Sequence, residues 1–368
     1  MSLRERNTPP DYVFLSLTGV LVLFGLIVLS SASSVISYEK FGSSFYLVRH
    51  QILSGLLPGL ILFFAMLRIP FVKWRKLALP FFAASVILLM LVVIPGIGVK
   101  LGGSRSWFSF GAFTFQPSEI VKLSLIIYLA LWLESRRDRI RDFKTGFIPF
   151  AGIVGIIAAL ILAQPDVGTL SIIAATVLFL AFIGNVRLSH LVGSLAIAMV
   201  ILFIMIKIAP YRTARLTAFA HPELDPQGAG YQINQALLAV GSGGFFGVGF
   251  GHSRQKFRYL PEVTGDSIFP IIAEELGFFI TAGFILLIAA TLWRMFRIAR
   301  DAPDSFSRYT VVGIAAWLGI QSFVNIGAML GIVPLTGLPL PFVSYGGTAL
   351  AVELAAAGVV GSISRYAK

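Results

Sequence analysis

The sequence predicts an all-α integral membrane protein with ten transmembrane helices, both termini in the cytoplasm and a large outer loop between helices 7 and 8. The first observation is composition: 57% of the 368 residues are hydrophobic and only 12% are charged, more apolar surface than a soluble core can bury. The second is a series of apolar runs, each long enough to cross a hydrocarbon layer of about 30 Å. The third is the placement of the cations between those runs.

Ten apolar runs follow one another along the chain. We predict spans near residues 12–33, 46–67, 77–95, 117–133, 147–163, 167–184, 188–209, 267–293, 309–333 and 348–363. The first run has no small-residue cleavage site followed by a soluble domain, which favours a retained span over a removed signal peptide. All connections but one are short and no repeat of fixed period occurs, so we expect one polytopic domain over residues 1–368.

The cations are distributed unevenly between the two sides. Of the 29 Lys and Arg residues, 18 fall at the termini or in alternate loops, and because Lys and Arg are retained in cytoplasmic loops, those segments are expected inside. This topology and anionic lipid account for most of the net charge of +12, so the charge does not call for a nucleic-acid partner. The absence of Cys excludes disulfides and thiolate nucleophiles, and the four His lack zinc-site spacing.

The longest connection, from about 210 to 266, lies on the expected outer side. Loops of this length without obvious regular structure are usually functional. Within it, residues 231–240 are amphipathic and predict a short surface helix. Two shorter outer loops, 95–116 and 334–347, are punctuated by Gly and Pro. The cations of the long loop are Arg212, Arg215, Arg254, Lys256 and Arg258.

Polar motifs gather where the even-numbered spans begin. With an inside N-terminus these spans start at the outer face, so their positive dipole ends point outward. The starts carry residues 116–119, residues 164–166, Asp266 and residues 344–348. Several helix N-termini directed at one region, together with loop cations, predict an anion site there. A phosphate-bearing lipid headgroup is the expected occupant.

Each polar element also has a structural explanation. Pro117 and Pro165 suit the first turn of a helix, and helix punctuation explains them equally well. Glu119 and Lys122 are spaced i, i+3, so a structural ion pair explains them as well as a substrate role does. Asp266 could cap span eight, but a Ser would cap without the cost of a full charge, so we favour a functional acid.

Two further features favour structural roles. Glu274 and Glu275 lie two turns into span eight, where at least one should face the protein interior as a hydrogen-bonding group. The glycine-rich run 241–251 does not match the dinucleotide-binding fingerprint and follows no strand. Flexible packing against the membrane surface is the expected role of that run.

Seven motifs carry a family resemblance over nearly the whole chain. They are FQPSE at 115–119, QPDVGT at 164–169, DPQGAGYQ at 225–232, the glycine run 241–251, LPE at 260–262, EELG at 274–277 and PLPFVSYGG at 339–347. In these motifs and their order the chain resembles the SEDS family (shape, elongation, division and sporulation) of integral membrane peptidoglycan glycosyltransferases. Residues 253–257 before 259–262 look more like the division branch than the elongation branch.

The resemblance implies a ten-span polymerase that joins lipid II units on the outer face of the cytoplasmic (inner) membrane. It also implies a class B penicillin-binding protein, a transpeptidase, as partner. The essential Asp of the family falls on Asp266. Two departures concern local geometry: TGDS stands at 264–267 where the family has His-Thr-Asp-Phe, and GGTA stands at 346–349 where the family has Gly-Gly-Ser-Ser.

The implied reaction assigns two tasks to the polar residues. An acceptor sugar hydroxyl is a weak nucleophile, so a carboxylate that takes its proton contributes roughly 10²- to 10⁴-fold, and Asp266 is our candidate. Fixed charges should stabilise the departing pyrophosphate. A divalent cation, Mg²⁺ or Mn²⁺, with Asp266 or Glu119 as ligand, is neither required nor excluded. The candidate substrate-binding residues are Arg105, Glu119, Lys122, Arg212, Arg215, Arg254, Lys256, Arg258 and Ser344.

Two other functions compete with a polymerase. A lipid II flippase would use intramembrane charges such as Glu119 and Lys122 to line a path, although the polar motifs gather at one face. A non-catalytic scaffold for a penicillin-binding protein would use small residues in spans nine and ten, such as Gly327, Ala328 and residues 355–358, for close helix contact.

Overall fold

The computed structural model describes residues 8–367 except 102, 112, 138, 209 and 222–227, and it omits the side chains of 210–212 and 229. Arg4, Arg6 and Lys368, which entered the topology prediction, and residues 225–227 of the 225–232 motif lie outside the described residues. The elements in chain order are α1 (Tyr12–Ala32), α2 (Ser34–Phe41), α3 (Tyr46–Gln51), α4 (Leu57–Arg68), α5 (Phe71–Val93), β1 (Val99–Leu101), β2 (Ser104–Phe110), β3 (Phe113–Phe115), α6 (Pro117–Ser135), α7 (Ile148–Leu162), α8 (Val167–Ile183), α9 (Leu188–Ile208), α10 (Pro210–Ala220), α11 (Ala229–Ser242), α12 (Ile268–Arg300), α13 (Ser305–Met329) and α14 (Gly347–Ser364).

Within the described residues, eight helical segments are long and apolar enough to cross a membrane. Two of them contain a π-helical turn: Ile52–Leu56 joins α3 to α4, and Phe143–Phe147 leads into α7. The remaining predicted spans are also helical, as α6 and α8. The eight segments are Tyr12–Ala32, Tyr46–Arg68, Phe71–Val93, Phe143–Leu162, Leu188–Ile208, Ile268–Arg300, Ser305–Met329 and Gly347–Ser364.

Several helices run past the predicted apolar segments. The helix α5 begins at Phe71 where the sequence predicts residue 77, and its first turns carry Lys73, Arg75 and Lys76. The helix α12 continues to Arg300 where the sequence predicts residue 293. Hydropathy detects only the part of a helix that matches hydrocarbon, so charged turns that extend into the interface are missed.

The helix α14 lies at the centre of the fold and is buried along nearly all of its length. Small residues allow its close contacts, since a Cβ on Gly358 would lie 2.5 Å from Phe63 O and one on Gly59 would lie 2.6 Å from Leu354 Cδ1. Ala355, Ala356 and Gly358 are therefore buried in contacts between helices of the same chain. These side chains do not offer the lipid-facing docking surface that the scaffold hypothesis requires.

Two segments expected on the outer side have more regular structure than the sequence suggests. The segment 210–266 contains α10, which was not predicted from the sequence, and α11, which includes the amphipathic helix predicted at 231–240. The segment 95–116 folds into an antiparallel sheet in the order β1-β2-β3. Its turns contain Gly103 and Gly111, both at positive φ, which glycine adopts without steric cost.

The backbone of the glycine run 241–251 forms hydrogen bonds with carbonyl groups that a break in α12 leaves without helical partners. Gly277 has φ 73° and ψ −179°, which interrupts the helical hydrogen bonds. The carbonyls of Glu274 and Glu275 accept instead from the amides of Val248 (2.9 Å) and Gly249 (3.1 Å). A Cβ on Gly277 would lie 2.2 Å from the nitrogen of Gly247. The glycines are therefore required for close backbone packing, which is a more specific role than the flexible surface packing expected from sequence.

Candidate active site

Asp266 lies two residues before α12 and is 9% exposed. The residue at the N-cap of α12 is Ser267, and no side chain caps this helix, so Asp266 does not act as the cap considered above. Each carboxylate oxygen of Asp266 lies 3.4 Å from Nε2 of Gln232 in α11. Gln232 Nε2 also donates to Ser267 Oγ at 2.9 Å, and the Ser267 hydroxyl lies 3.4 Å from Asp266 Oδ1.

Burial raises the pKa of Asp266 to about 6, and the negative charge of Glu262 adds to this shift. The positive charge of Arg215 and the hydrogen bonds from Gln232 and Ser267 lower the pKa and limit the rise. A general base is most effective when its pKa lies near the working pH. Asp266 is thus ionised at neutral pH and basic enough to accept a proton.

Three consecutive carbonyl oxygens, those of residues 264–266, accept hydrogen bonds from the C-terminal part of the chain. The amide of Tyr345 donates to the first at 2.8 Å, the hydroxyl of Ser344 donates to the second at 2.6 Å, and Asn325 Nδ2 donates to the third at 2.8 Å. The backbone that carries the candidate base is therefore fastened at every residue. Ser344, a candidate substrate ligand from sequence, holds this backbone.

The loop 334–346 that supplies these donors is itself held from two sides. Gln51 receives the amide of Gly346 on Oε1 at 3.0 Å, and its Nε2 donates to Ser344 O at 3.4 Å. The buried carboxylate of Glu353 in α14 accepts the amide of Phe342 at 2.7 Å. Phe342 has φ 64°, a left-handed conformation that a non-glycine residue adopts only when its surroundings fix it.

Glu119 and Lys122 form the predicted i, i+3 ion pair, with Lys122 Nζ 2.9 Å from Glu119 Oε2 and both side chains buried. Lys122 also donates to Gln321 Oε1 at 3.0 Å and lies 4.9 Å from the centre of the Trp317 ring. Gln321 in turn donates to the carbonyl of Pro339 at 2.9 Å. The ion pair is therefore attached to the same loop as the backbone of the candidate base.

Arg215 is the one loop cation, among the described side chains, whose charge lowers the pKa of the candidate base. It lies on α10 and is half-buried. Its Nη1 would lie 3.8 Å from a Cβ on Gly337, within the loop 334–346. Arg212 precedes it by one helical turn on α10, but the Arg212 side chain lies outside the described residues.

Lys256, a predicted substrate-binding residue, lies in a buried ion pair away from the candidate base. Its side chain is 3% exposed and lies 2.9 Å from Glu275 Oε1, and Ser31 bonds to both groups. Glu274 in turn accepts from the Ser253 hydroxyl. The structure thus unites Lys256 with the two glutamates expected to be structural, and it does not join Lys256 to Asp266.

Three other candidate cations are exposed or half-buried. Arg258 is exposed and pairs with Glu39 at 2.8 Å. Arg254 is exposed, and its backbone amide donates to Glu274 Oε1 at 3.0 Å. Arg105 is half-buried in β2, opposite Lys100 in β1. Among the described residues, no hydrogen bond or ion pair joins any of these three side chains to Asp266.

The starts of the other even-numbered spans meet as predicted. Gln116, before α6, donates through Nε2 to Asp166 Oδ2 at 3.4 Å, and Asp166 caps α8. The hydroxyl of Thr348, in the first turn of α14, accepts from the Gln116 amide at 3.3 Å. Pro165 precedes the cap of α8, so the expectation that it lies in the first helical turn is wrong, whereas Pro117 does begin α6.

Three polar residues of this site are not predicted from the sequence: Gln232, Gln321 and Asn325. Gln232 belongs to one of the quoted motifs. Gln321 and Asn325 are spaced i, i+4 inside an otherwise apolar run, which places them on one helix face, and this spacing could have identified them. Within the described ranges, no three His, Asp or Glu side chains form a metal-binding group.

Comparisons with known proteins agree with the fold and the motifs. Residues 12–368 match the family model of FtsW, RodA and SpoVE, described as cell cycle protein. Stage V sporulation protein E of Bacillus subtilis (strain 168) is 41% identical over 99% of both chains. The probable peptidoglycan glycosyltransferase FtsW of Geobacter sp. (strain M18) is 38% identical over 96% of both chains.

Two solved structures share the whole fold. A chain from a peptidoglycan synthase complex, in a study of how polymerization and crosslinking are coordinated, superposes with a TM-score of 0.80 at 30% identity, covering 97% of this chain and 98% of that one. The rod shape determining protein RodA of Thermus thermophilus superposes with a TM-score of 0.72 at 30% identity, covering 97% of each chain. The resemblance inferred from sequence motifs is confirmed.

Proposed function

This chain belongs to the FtsW, RodA and SpoVE family of cell cycle proteins, and on that premise we propose that it is a peptidoglycan glycosyltransferase. It polymerises lipid II into glycan strands during cell division or elongation. The observation that carries the proposal is Asp266: a buried carboxylate whose pKa burial raises to about 6 and the charge of Arg215 lowers, on a backbone held by three hydrogen bonds.

The proposed topology has ten spans, cytoplasmic termini and the active site on the outer face of the inner membrane. Segments expected inside are joined by ion pairs: Arg75 bridges Glu134 (2.8 Å) and Asp304 (3.0 Å), and Arg294 pairs with Asp11 at 2.6 Å. Segments expected outside meet around the starts of α6, α8, α12 and α14. This separation supports the orientation that the cation distribution predicts.

In the proposed reaction the acceptor hydroxyl gives its proton to the Asp266 carboxylate while its oxygen bonds to the anomeric carbon of the donor. The bond between that carbon and the pyrophosphate oxygen breaks, and the electron pair leaves with the polyprenyl pyrophosphate. Arg215 is placed to oppose the negative charge that develops. Glu119 and Lys122 support the loop beneath, while Arg105, Arg212, Arg254 and Arg258 remain candidates for binding the headgroup.

The proposed partner is a class B penicillin-binding protein that crosslinks the product. The support is the likeness to a chain of a peptidoglycan synthase complex, whose study concerns polymerization and crosslinking together. Membrane lipid surrounds the remaining apolar faces, such as that of α9, where Leu191 is the one buried residue within the described part of that helix.

A reconstitution assay tests the proposal. The purified chain in liposomes, supplied with lipid II, is expected to form glycan strands that a gel resolves by length. The assay is run with and without a penicillin-binding protein partner and with Mg²⁺ or a chelator, because those conditions separate the chemistry of the chain from its requirements. Movement of labelled lipid II across the bilayer without chain growth would instead indicate a flippase.

A further inference from the structure

One side chain joins the candidate base to the loop 334–346. Asn325 Nδ2 donates to the carbonyl of Asp266 and to the carbonyl of Leu338, each at 2.8 Å. Both partners are acceptors only, so the amide must present its nitrogen to them and cannot be flipped. Asn325 Oδ1 therefore faces away, and it is buried with no hydrogen-bond partner among the described residues.

This orientation argues against a role in stability alone. Asn325 is 1% exposed, and a buried acceptor without a partner opposes the gain from the two bonds that the nitrogen makes. Polar groups that are costly to bury are retained where they fix a functional geometry. Here the geometry is the distance between the backbone of Asp266 and the loop that carries Ser344.

The Asn325 bond completes a set of three. With the Ser344 hydroxyl on the carbonyl of Gly265 and the Tyr345 amide on that of Thr264, rotation of this backbone would break at least one bond. The direction in which the Asp266 side chain leaves the main chain is thereby fixed. Gln232 and Ser267 then set the orientation of the carboxylate itself.

We propose that Asn325 is a positioning residue for Asp266, holding the backbone from which this base reaches the acceptor hydroxyl. The inference rests on the proposed polymerase function. Because Asn325 acts through Asp266 and does not contact substrate, its loss should lower kcat and leave KM nearly unchanged. A displacement of about 1 Å at a reacting group costs on the order of 10²-fold in rate.

The test compares four forms of the full chain in liposomes with lipid II: wild type, Asn325→Ala, Asn325→Asp and the control Ser322→Ala. Ser322 lies on the same helix, is buried, and its hydroxyl bonds only to the carbonyl of Leu318 within α13. The rate of glycan formation is measured against lipid II concentration from pH 5 to 9. Thermal unfolding in detergent confirms that each variant is folded.

Asn325→Ala is expected to lower kcat by about 10²-fold with KM within about twofold of wild type, and the control should match wild type. Asn325→Asp puts a buried carboxyl against the carbonyls of Asp266 and Leu338, where only the protonated form can donate a hydrogen bond, so one of the two bonds is kept and kcat should lie between those of wild type and Asn325→Ala. A loss confined to kcat in a variant that unfolds at the wild-type temperature would not follow from a purely structural role.

Wild-type kcat in Asn325→Ala, or a raised KM at an unchanged kcat, would overturn the inference while leaving the polymerase proposal intact. A wild-type chain that makes no glycan would instead contradict the proposed function. If Asn325→Ala is not recovered folded, Asn325→Ser replaces it. Its hydroxyl keeps one donor, so a kcat between those of wild type and Asp266→Asn is expected, and a wild-type kcat would again overturn the inference.

Discussion

The ammonium of Lys256 lies 2.9 Å from the carboxylate of Glu275, and both side chains are 3% exposed. Sequence alone assigns Lys256 to substrate binding because it lies in a basic loop that is expected on the outer side. The structure shows its charge matched inside the protein, where it fastens the loop to α1 and α12 through Ser31 and Glu275.

Lys256→Met should reduce the free energy of unfolding by about 3–5 kcal/mol, the usual effect of leaving one member of a buried ion pair uncompensated. The double variant Lys256→Met/Glu275→Gln should recover most of this loss because no unpaired charge remains. Arg254→Ala, which removes an exposed neighbour, should unfold like wild type and raise the lipid II concentration needed. A Lys256→Met chain with unaltered thermal stability would return Lys256 to the substrate-binding candidates.

Activity should fall as the pH drops through about 6, because burial raises the pKa of Asp266 to about 6 and only the ionised carboxylate accepts a proton. Arg215 lowers this pKa, so Arg215→Ala should move the acid limb of the pH profile to higher pH. Rates of glycan synthesis across pH 5 to 9 provide the measurement. An acid limb near pH 4 in wild type would show that Asp266 titrates as an ordinary solvent-exposed carboxyl.

Asp266→Asn should be more stable than wild type above pH 6. The pKa of Asp266 is raised in the folded state from 3.8 to about 6, so this carboxyl contributes stability only at low pH and loses it as the pH rises through about 6. At roughly 1.4 kcal/mol for each pKa unit, the asparagine variant should gain about 3 kcal/mol at pH 8 and nothing below pH 4. Unfolding temperatures at both pH values test the sign, and a destabilised variant at pH 8 would contradict it.

Gly277→Ala should abolish folding or insertion. Its Cβ would lie 2.2 Å from a backbone nitrogen, and its φ of 73° is strained for any residue with a side chain. Gly283→Ala, also in α12 but with nothing within 4 Å of its Cβ, is the matched control and should stabilise by up to about 1 kcal/mol. Yield and unfolding temperature of the two purified variants are compared, and equal values would mean that the break in α12 is not required.

Long apolar runs predict the helices well because crossing hydrocarbon demands length and low polarity. The same criterion fails to detect charged helix ends, such as the first turns of α5. The sheet β1–β3 is missed because its strands Val99–Leu101 and Phe113–Phe115 have three residues each, too few for alternation to register. Both missed features lie near the expected membrane surfaces, where hydropathy distinguishes least between helix, strand and loop.

The candidate base could be inferred from sequence, but its surroundings could not. Asp266 is a charge at the start of an apolar run, and such a residue is a functional candidate by default. Gln232, Asn325 and Ser344 reach it from segments 34, 59 and 78 positions away in the chain, if counted from residue 266. Only the tertiary structure shows that the charge of Arg215 acts on Asp266, whereas Lys256 pairs with Glu275.

The most direct measurement is the rate of lipid II polymerisation by purified wild type and Asp266→Asn in the same liposomes at pH 8. The variant should insert and fold, yet polymerise at least about 10²-fold more slowly, since removal of a general base costs roughly 10²- to 10⁴-fold. A variant that retains more than about a tenth of the wild-type rate would show that this carboxylate is not the base.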